Sequence, residues 1–301
     1  MRNFFKAFNF WLILFLSYSC GLKAQTTDLA RIEYTRIPFS KGKQSMNRFR
    51  AFIQAPIPIK EDYLVFGGEY RKTDLDFKED IPFEYNRLES TQRIDATLGY
   101  IKKIKASNWR LAFRGGIRLT SNFERSLVQD DLIYIGAVYA INDVKQRDEN
   151  GTVIGKPYRW IFGLVYTSTP GRNFPLPLIN FFRKPNDTWS YTLGVPKTLL
   201  RYSFNDKHHL HAFASLDNHF ANIQNNIRID NVNRVGENIS MTNVTLGLGY
   251  EFYFTDHLQY YLYVGHTVYN EYRIRDNNRD DVYVIENENT WYIRSGLKFK
   301  I

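Results

Sequence analysis

The histidines are the first residues whose types and spacing could do chemistry. His208, His209 and His211 form an H-H-x-H cluster, and His219, His257 and His266 are scattered beyond it. On an extended strand, His209 and His211 share a face and could meet a metal together, and Ser215, Asp217 and His219 continue the same parity. A serine hydrolase needs a hydroxyl activated by an imidazole that a third group orients. Ser215 lies four residues from both His211 and His219, about 13 Å along a strand, so the dyad cannot close within it. Asp217 and His219 near one end of that strand would be the best case for a membrane-embedded protease. No G-x-S-x-G, P-loop, dinucleotide-binding glycine motif or Cys/His zinc spacing occurs. The residues call for no metal and no cofactor, and enzymatic hydrolysis of lipid or peptide stands as the alternative reading.

Charge gives the stronger lead. Arg110, Arg114 and Arg118 recur every four residues, Arg48 and Arg50 every two, and Arg294, Lys298 and Lys300 follow one parity. Glu69, Asp95 and Glu251 are their candidate partners. Together Arg48, Arg50, Glu69, Asp95, Arg110, Arg114, Arg118, Glu251, Arg294 and Lys298 are the candidate lumen-lining set. They read either as ion pairs that hold a barrel shut or as the wall of a narrow, anion-preferring passage.

These residues sit on segments whose other face is apolar. Trp291, Ile293, Leu297 and Phe299 alternate with Tyr292, Arg294, Lys298 and Lys300. Leu246, Leu248, Tyr250, Phe252 and Phe254 alternate with Gly247, Gly249, Glu251 and Tyr253, and Trp109 to Leu119 reads the same way. Segments of about 10 to 14 residues are long for a soluble sheet and fit a tilted strand crossing a bilayer. Closure would leave no unpaired edge in hydrocarbon. The expected fold is therefore all-β: a closed antiparallel transmembrane β-barrel of about twelve strands. Ten or fourteen stay open, because the region of Pro196 reads as a kink or as a turn. The twelve segments are 28–37, 46–57, 62–73, 88–104, 108–120, 131–143, 158–168, 188–203, 208–222, 239–254, 258–271 and 289–301. Tight turns near 59–62, 105–108, 205–207 and 255–257 fall on one side, and long loops over 74–87, 169–187, 223–238 and 272–288 on the other. A long connection over 144–157, read as a hairpin about Asn150–Gly151, breaks the alternation. The loop at 170–187 is unusually apolar. Phe174, Leu176, Leu178, Phe181 and Phe182 are its candidate constriction residues, folded into the barrel mouth.

The 301 residues carry 40 Lys plus Arg against 31 Asp plus Glu, interleaved along the chain, which gives nucleic-acid binding no support. Arg2 and Lys6, the apolar run Phe8 to Tyr18 and the small or polar residues through Ala24 read as a signal peptide over 1–24, with the barrel over 25–301. Cleavage before Cys20 with lipid attachment is the second reading of this segment. Removal of 1–24 takes away the only cysteine and three of the cations.

Three features together, the segment ending Lys23-Ala24-Gln25, the strand Trp291 to Ile301 and the many Tyr- and Phe-ended strands, resemble outer-membrane β-barrels of Bacteroidota. The stretch from Thr169-Pro170-Gly171 through Trp189 to Pro196 resembles an uncharacterised outer-membrane family, a domain of unknown function. That resemblance implies placement in the bacterial outer membrane, contact with its lipid, and assembly by the barrel-assembly machinery acting on the C-terminal strand. It carries no known activity and no catalytic residue.

Overall fold

Alternating apolar and polar side chains can satisfy lipid on one face and water on the other only if the backbone runs extended and every edge is paired. The computed structural model, which describes residues 28–39, 45–77, 81–147, 153–167, 174–229 and 234–300, is extended over most of this length and closes its sheet into a ring. Its strands are β1 (Asp28–Pro38), β2 (Ser45–Ile59), β3 (Asp62–Asp76), β4 (Ser90–Lys103), β5 (Trp109–Ser121), β6 (Leu132–Arg147), β7 (Val153–Thr167), β8 (Phe174–Arg183), β9 (Trp189–Gly194), β10 (Lys197–Ser203), β11 (His208–Ile229), β12 (Arg234–Tyr253), β13 (Leu258–Arg275), β14 (Asp281–Glu286) and β15 (Trp291–Lys300). Each pairs antiparallel with the next up to β13. β15 joins β13 to β1 and closes the ring. β14 continues the line of β15 along the far half of β13, so the barrel has fourteen staves.

The two staves beyond twelve have identifiable causes. The segment 169–187, expected as a loop, contains β8, paired with β7 from Thr167↔Phe174 to Tyr158↔Arg183. The segment 188–203, expected as one strand, turns at Gly194–Pro196 into the hairpin β9–β10. Gly194 has φ 147°, and a Cβ there would run into the carbonyl of Ile179, so only glycine allows this approach. The expected loops at 223–238 and 272–288 are largely strand as well. The signal peptide over 1–24 and the hairpin tip at Asn150–Gly151 lie outside the described residues.

The tight turns 60–61, 104–108, 204–207 and 254–257 gather at one end with the starts of β1 and the finish of β15. We call this the turn end, and the opposite end the loop end. Outward positions carry an apolar belt: Ile53, Leu98, Phe113, Leu164, Ile179, Leu193, Leu248 and Leu297 are all exposed. Aromatic rings girdle its turn-end margin, with Trp109, Phe162, Trp160 and Phe181 in a row of ring contacts, then Trp189, Tyr202 and Phe204. Among the described residues no helix is long and apolar enough to cross a membrane.

The inner face is not empty. At the loop end, Ile37, Met46, Leu88, Ile223, Ile239, Met241, Tyr272 and Ile274 pack into a buried apolar core. A bulge between Thr267 and Tyr269 makes this packing available. It shifts parity so that Tyr272 and Ile274 turn inward, where Tyr261 and Tyr263 do so below it.

Candidate functional site

β11 organises the interior. Its first half pairs with β10 from Ser203↔His209 to Lys197↔Ser215. Because β10 begins at Lys197, β11 then runs on with no strand beside it in the wall on that side among the described residues. Still paired with β12, it bends inward and reaches β5, bridging in parallel at Asn222↔Ser121. The Thr120 hydroxyl donates to the Phe220 carbonyl at 2.7 Å, and the Ser121 hydroxyl to the Asn222 carbonyl at 3.2 Å. Asp131, buried in a short 3-10 turn after β5, fixes the crossing. It accepts from Asn222 Nδ2 at 2.8 Å, from Gln224 Nε2 at 2.6 Å and from the Val128 N–H at 2.9 Å. Burial alone would raise this carboxyl, but these donors outweigh it and hold it below the usual carboxylate range.

Below the crossing, ion pairs span the lumen. Arg48 on β2 meets Asp217 on β11 at 2.6 Å, with Arg48 fully enclosed. Arg50 donates to Glu33 at 3.1 Å and Glu69 at 2.5 Å, and Arg71 also donates to Glu69, at 2.6 Å. Asp95 receives two bonds from Arg93 and two from Arg118, both of the latter at 2.9 Å. Nearer the turn end, Glu251 pairs with Arg201, lies 3.1 Å from His211 Nε2, accepts from Tyr263 at 2.9 Å and sits 3.5 Å from Lys298. A guanidinium and a carboxylate with their donors matched tolerate enclosure; either one alone does not.

Of the sequence-derived set, Arg48, Arg50, Glu69, Asp95, Arg118, Glu251 and Lys298 are brought into this network. Arg294 is inward but stacks on Tyr263 and Tyr292, its Cζ 5.2 Å and 5.6 Å from the ring centres. Arg114 is exposed. Arg110 lies near the turn end, donating to the Glu61 carbonyl and covering the Tyr63 ring. Glu33, Arg71, Arg93, Tyr261 and Lys197 were not singled out. Their parity on their strands was a usable signal for all five, whereas the pairing of Arg48 with Asp217 across 169 residues had none.

The expected mouth constriction is corrected. Leu176, Leu178, Phe181 and Phe182 belong to a wall strand, as does the backbone of Phe174. Phe181 faces outward against Trp160, 4.3 Å between rings, while Leu176, Leu178 and Phe182 share the opposite face. Arg159 covers the Phe182 ring.

The hydrolase set is engaged elsewhere. Asp217 is held by Arg48, His219 Nε2 lies 2.9 Å from Thr91 Oγ1, and His209 Nδ1 lies 2.9 Å from Ser203 Oγ. The described residues contain no group of three His, Cys, Asp or Glu placed to hold a metal.

The fold and its interior define a closed fourteen-stranded antiparallel β-barrel with an apolar core at the loop end and ion-paired, cation-rich side chains toward the turn end. A family model described as a domain of unknown function, DUF6268, matches residues 88–300, and the chain belongs to this family. No curated protein matches the sequence. Several solved structures are similar at low sequence identity. A KdgM porin in complex with disordered oligogalacturonate is 7% identical with a TM-score of 0.36, over 90% of this chain and 99% of that one. LpxR from Salmonella typhimurium is 6% identical with a TM-score of 0.39, over 90% and 100%. The translocator domain of the autotransporter NalP from Neisseria meningitidis is 12% identical with a TM-score of 0.36, over 100% and 98%.

Proposed function

We propose that this protein is a bacterial outer-membrane barrel that is shut at rest and whose cationic interior takes up small anionic solutes. The outward belt, exposed and apolar on nearly every stave, supports the membrane placement, since water would not tolerate so large a continuous patch. The C-terminal stave β15, with Trp291, Ile293, Leu297 and Phe299 outward, suits recognition by barrel-assembly machinery.

The observation that carries the closed state is the contact of non-neighbouring staves across the lumen: β2 with β11 through Arg48 and Asp217, β4 with β11 through Thr91 and His219, and β5 with β11 through backbone. An open passage would require the outer half of β11 to leave this position. In planar bilayers the purified protein is expected to show no steady open-state current, with brief openings at most. A constant conductance of the size expected for an unobstructed fourteen-stranded barrel would overturn the closed reading.

A further inference from the structure

The wall is incomplete beside β8. The hairpin β9–β10 has strands of 6 and 7 residues, short of the roughly 9–11 a tilted stave needs to cross a bilayer. β9 pairs with β8 only from Asn180↔Gly194 to Arg183↔Tyr191. Toward the loop end, β8 from Phe174 to Leu178 has no strand partner on that side among the described residues, and β11 has already turned inward to β5. A notch therefore opens sideways between β8 and β11, above the hairpin tip.

Two prolines fit the notch. The Val195 N–H donates to the Ile179 carbonyl, so Ile179 directs its backbone groups toward the hairpin side of β8. Backbone direction alternates along a strand, so Pro175 and Pro177 face the same side. Their nitrogens carry no hydrogen. The free edge thus presents no N–H at either position to be left unsatisfied in hydrocarbon.

The notch leads from lipid to an apolar inner surface. Ile133 and Ile135 on β6, Ile161 and Val165 on β7, and Leu176 and Leu178 on β8 take the inward parity, opposite exposed Tyr134, Phe162, Leu164 and Ile179. Just below the tip, the outer wall is hollowed into a depression of about 540 Å³ lined by Leu193, Leu200, Ala212, Ala214 and Leu246.

At the tip itself stands a cation without an anion. Lys197, partly buried, places Nζ 4.5 Å from the centre of the Tyr263 ring, and Arg294 approaches the same ring. Among the described residues neither has a carboxylate within 4.0 Å. The nearby acids are committed: Glu33 to Arg50 and to the Tyr261 hydroxyl at 2.6 Å, Glu251 to Arg201, His211 and Tyr263. Two like charges about one ring, with the nearby carboxylates already paired to other groups, leave room for one more anion at the site.

We propose that the notch admits a long-chain fatty acid, its tail against the inner face of β6 to β8 and its carboxylate on Lys197 and Arg294. This rests on the membrane reading above. The head must pass the wall to reach the cations, which favours a carboxylate over a bulky phospholipid headgroup.

The purified protein in detergent is titrated with radiolabelled palmitate, with 1-hexadecanol as neutral competitor. Saturable binding of one palmitate per barrel is expected, with hexadecanol at least tenfold weaker. Lys197→Gln should weaken palmitate at least tenfold, and Lys207→Gln, in the turn after β10, less than twofold. Leu178→Trp, which fills the inner face without touching charge, should also weaken it at least tenfold, folding being checked by heat-modifiable gel mobility. Unsaturable partitioning, equal affinity for hexadecanol, or a folded Lys197→Gln protein that binds as the parent does would overturn the proposal. A protein that is monodisperse without detergent would remove the membrane reading itself; a folded, detergent-requiring barrel that ignores palmitate removes only this inference.

Discussion

The inner faces of β1–β5 and of β6–β8 solve opposite problems with the same strand geometry. Along β1 to β5 the inward positions are Glu33, Arg48, Arg50, Glu69, Arg71, Arg93, Asp95 and Arg118, and nearly every charge has a partner. Along β6 to β8 they are mostly apolar, with Ile133, Ile135, Ile161, Val165, Leu176 and Leu178, and Arg159 stands nearer the turn end over the Phe182 ring. The first set packs against β11 and closes. The second lies where β11 has departed and the hairpin stops short. Charge is affordable where a facing strand supplies counter-charge, and the loop-end halves of β6 to β8, left without such a strand, hold Ile, Val and Leu at their inward positions.

This contrast can be broken by mutation, most severely on the charged side. Arg48→Ala strands Asp217 in the interior and is expected to cost about 3–5 kcal/mol. Arg48→Ala with Asp217→Ala should recover a large part of that, read from urea unfolding by tryptophan fluorescence. Equal losses in the single and double variants would show that the pair is not coupled.

The notch gives a prediction of unusual sign. Replacing proline within a strand by alanine normally restores a ladder bond. Here Pro175→Ala and Pro177→Ala add N–H groups to an edge without acceptors, so each should destabilise by about 1–3 kcal/mol. Stabilisation would mean that a strand fills the notch.

The smallest effect belongs to the apolar inner face. Leu178 is only partly buried, so Leu178→Ala is expected to cost under about 1 kcal/mol by the same unfolding assay, well short of the roughly 2–5 kcal/mol for truncating a packed core residue. A loss as large as that of a core residue would place a packed element over this face.

Much of this was legible in the sequence. The parity of Trp291 to Lys300 and of Trp109 to Leu119 specified which side chains face in, because a period of two leaves no freedom once one face is apolar. The segment FPLPLINFF misled for a physical reason: proline signals a loop unless its missing donor happens to face a free edge, and that edge exists only in three dimensions. The turn at Gly194–Pro196 was visible as an ambiguity, but its consequence for β11 was not. The crossing to β5 depends on Asp131 meeting Asn222 and Gln224 some ninety residues away, and no local pattern marks such a contact.

In the proposed closed state that crossing shuts the barrel, and it is directly testable by disulfide formation once Cys20, the one cysteine of the sequence, is replaced by serine. In the variant Ser121→Cys with Asn222→Cys, the two positions pair across β5 and β11. Oxidation should link them nearly completely, seen as a shift in gel mobility that a reductant reverses. Leu178→Cys with Asn222→Cys should remain unlinked. The first bond is expected and the second is not; a bond between 178 and 222 in place of one between 121 and 222 would mean that β11 stays in the wall beside β8 and that the lumen is open.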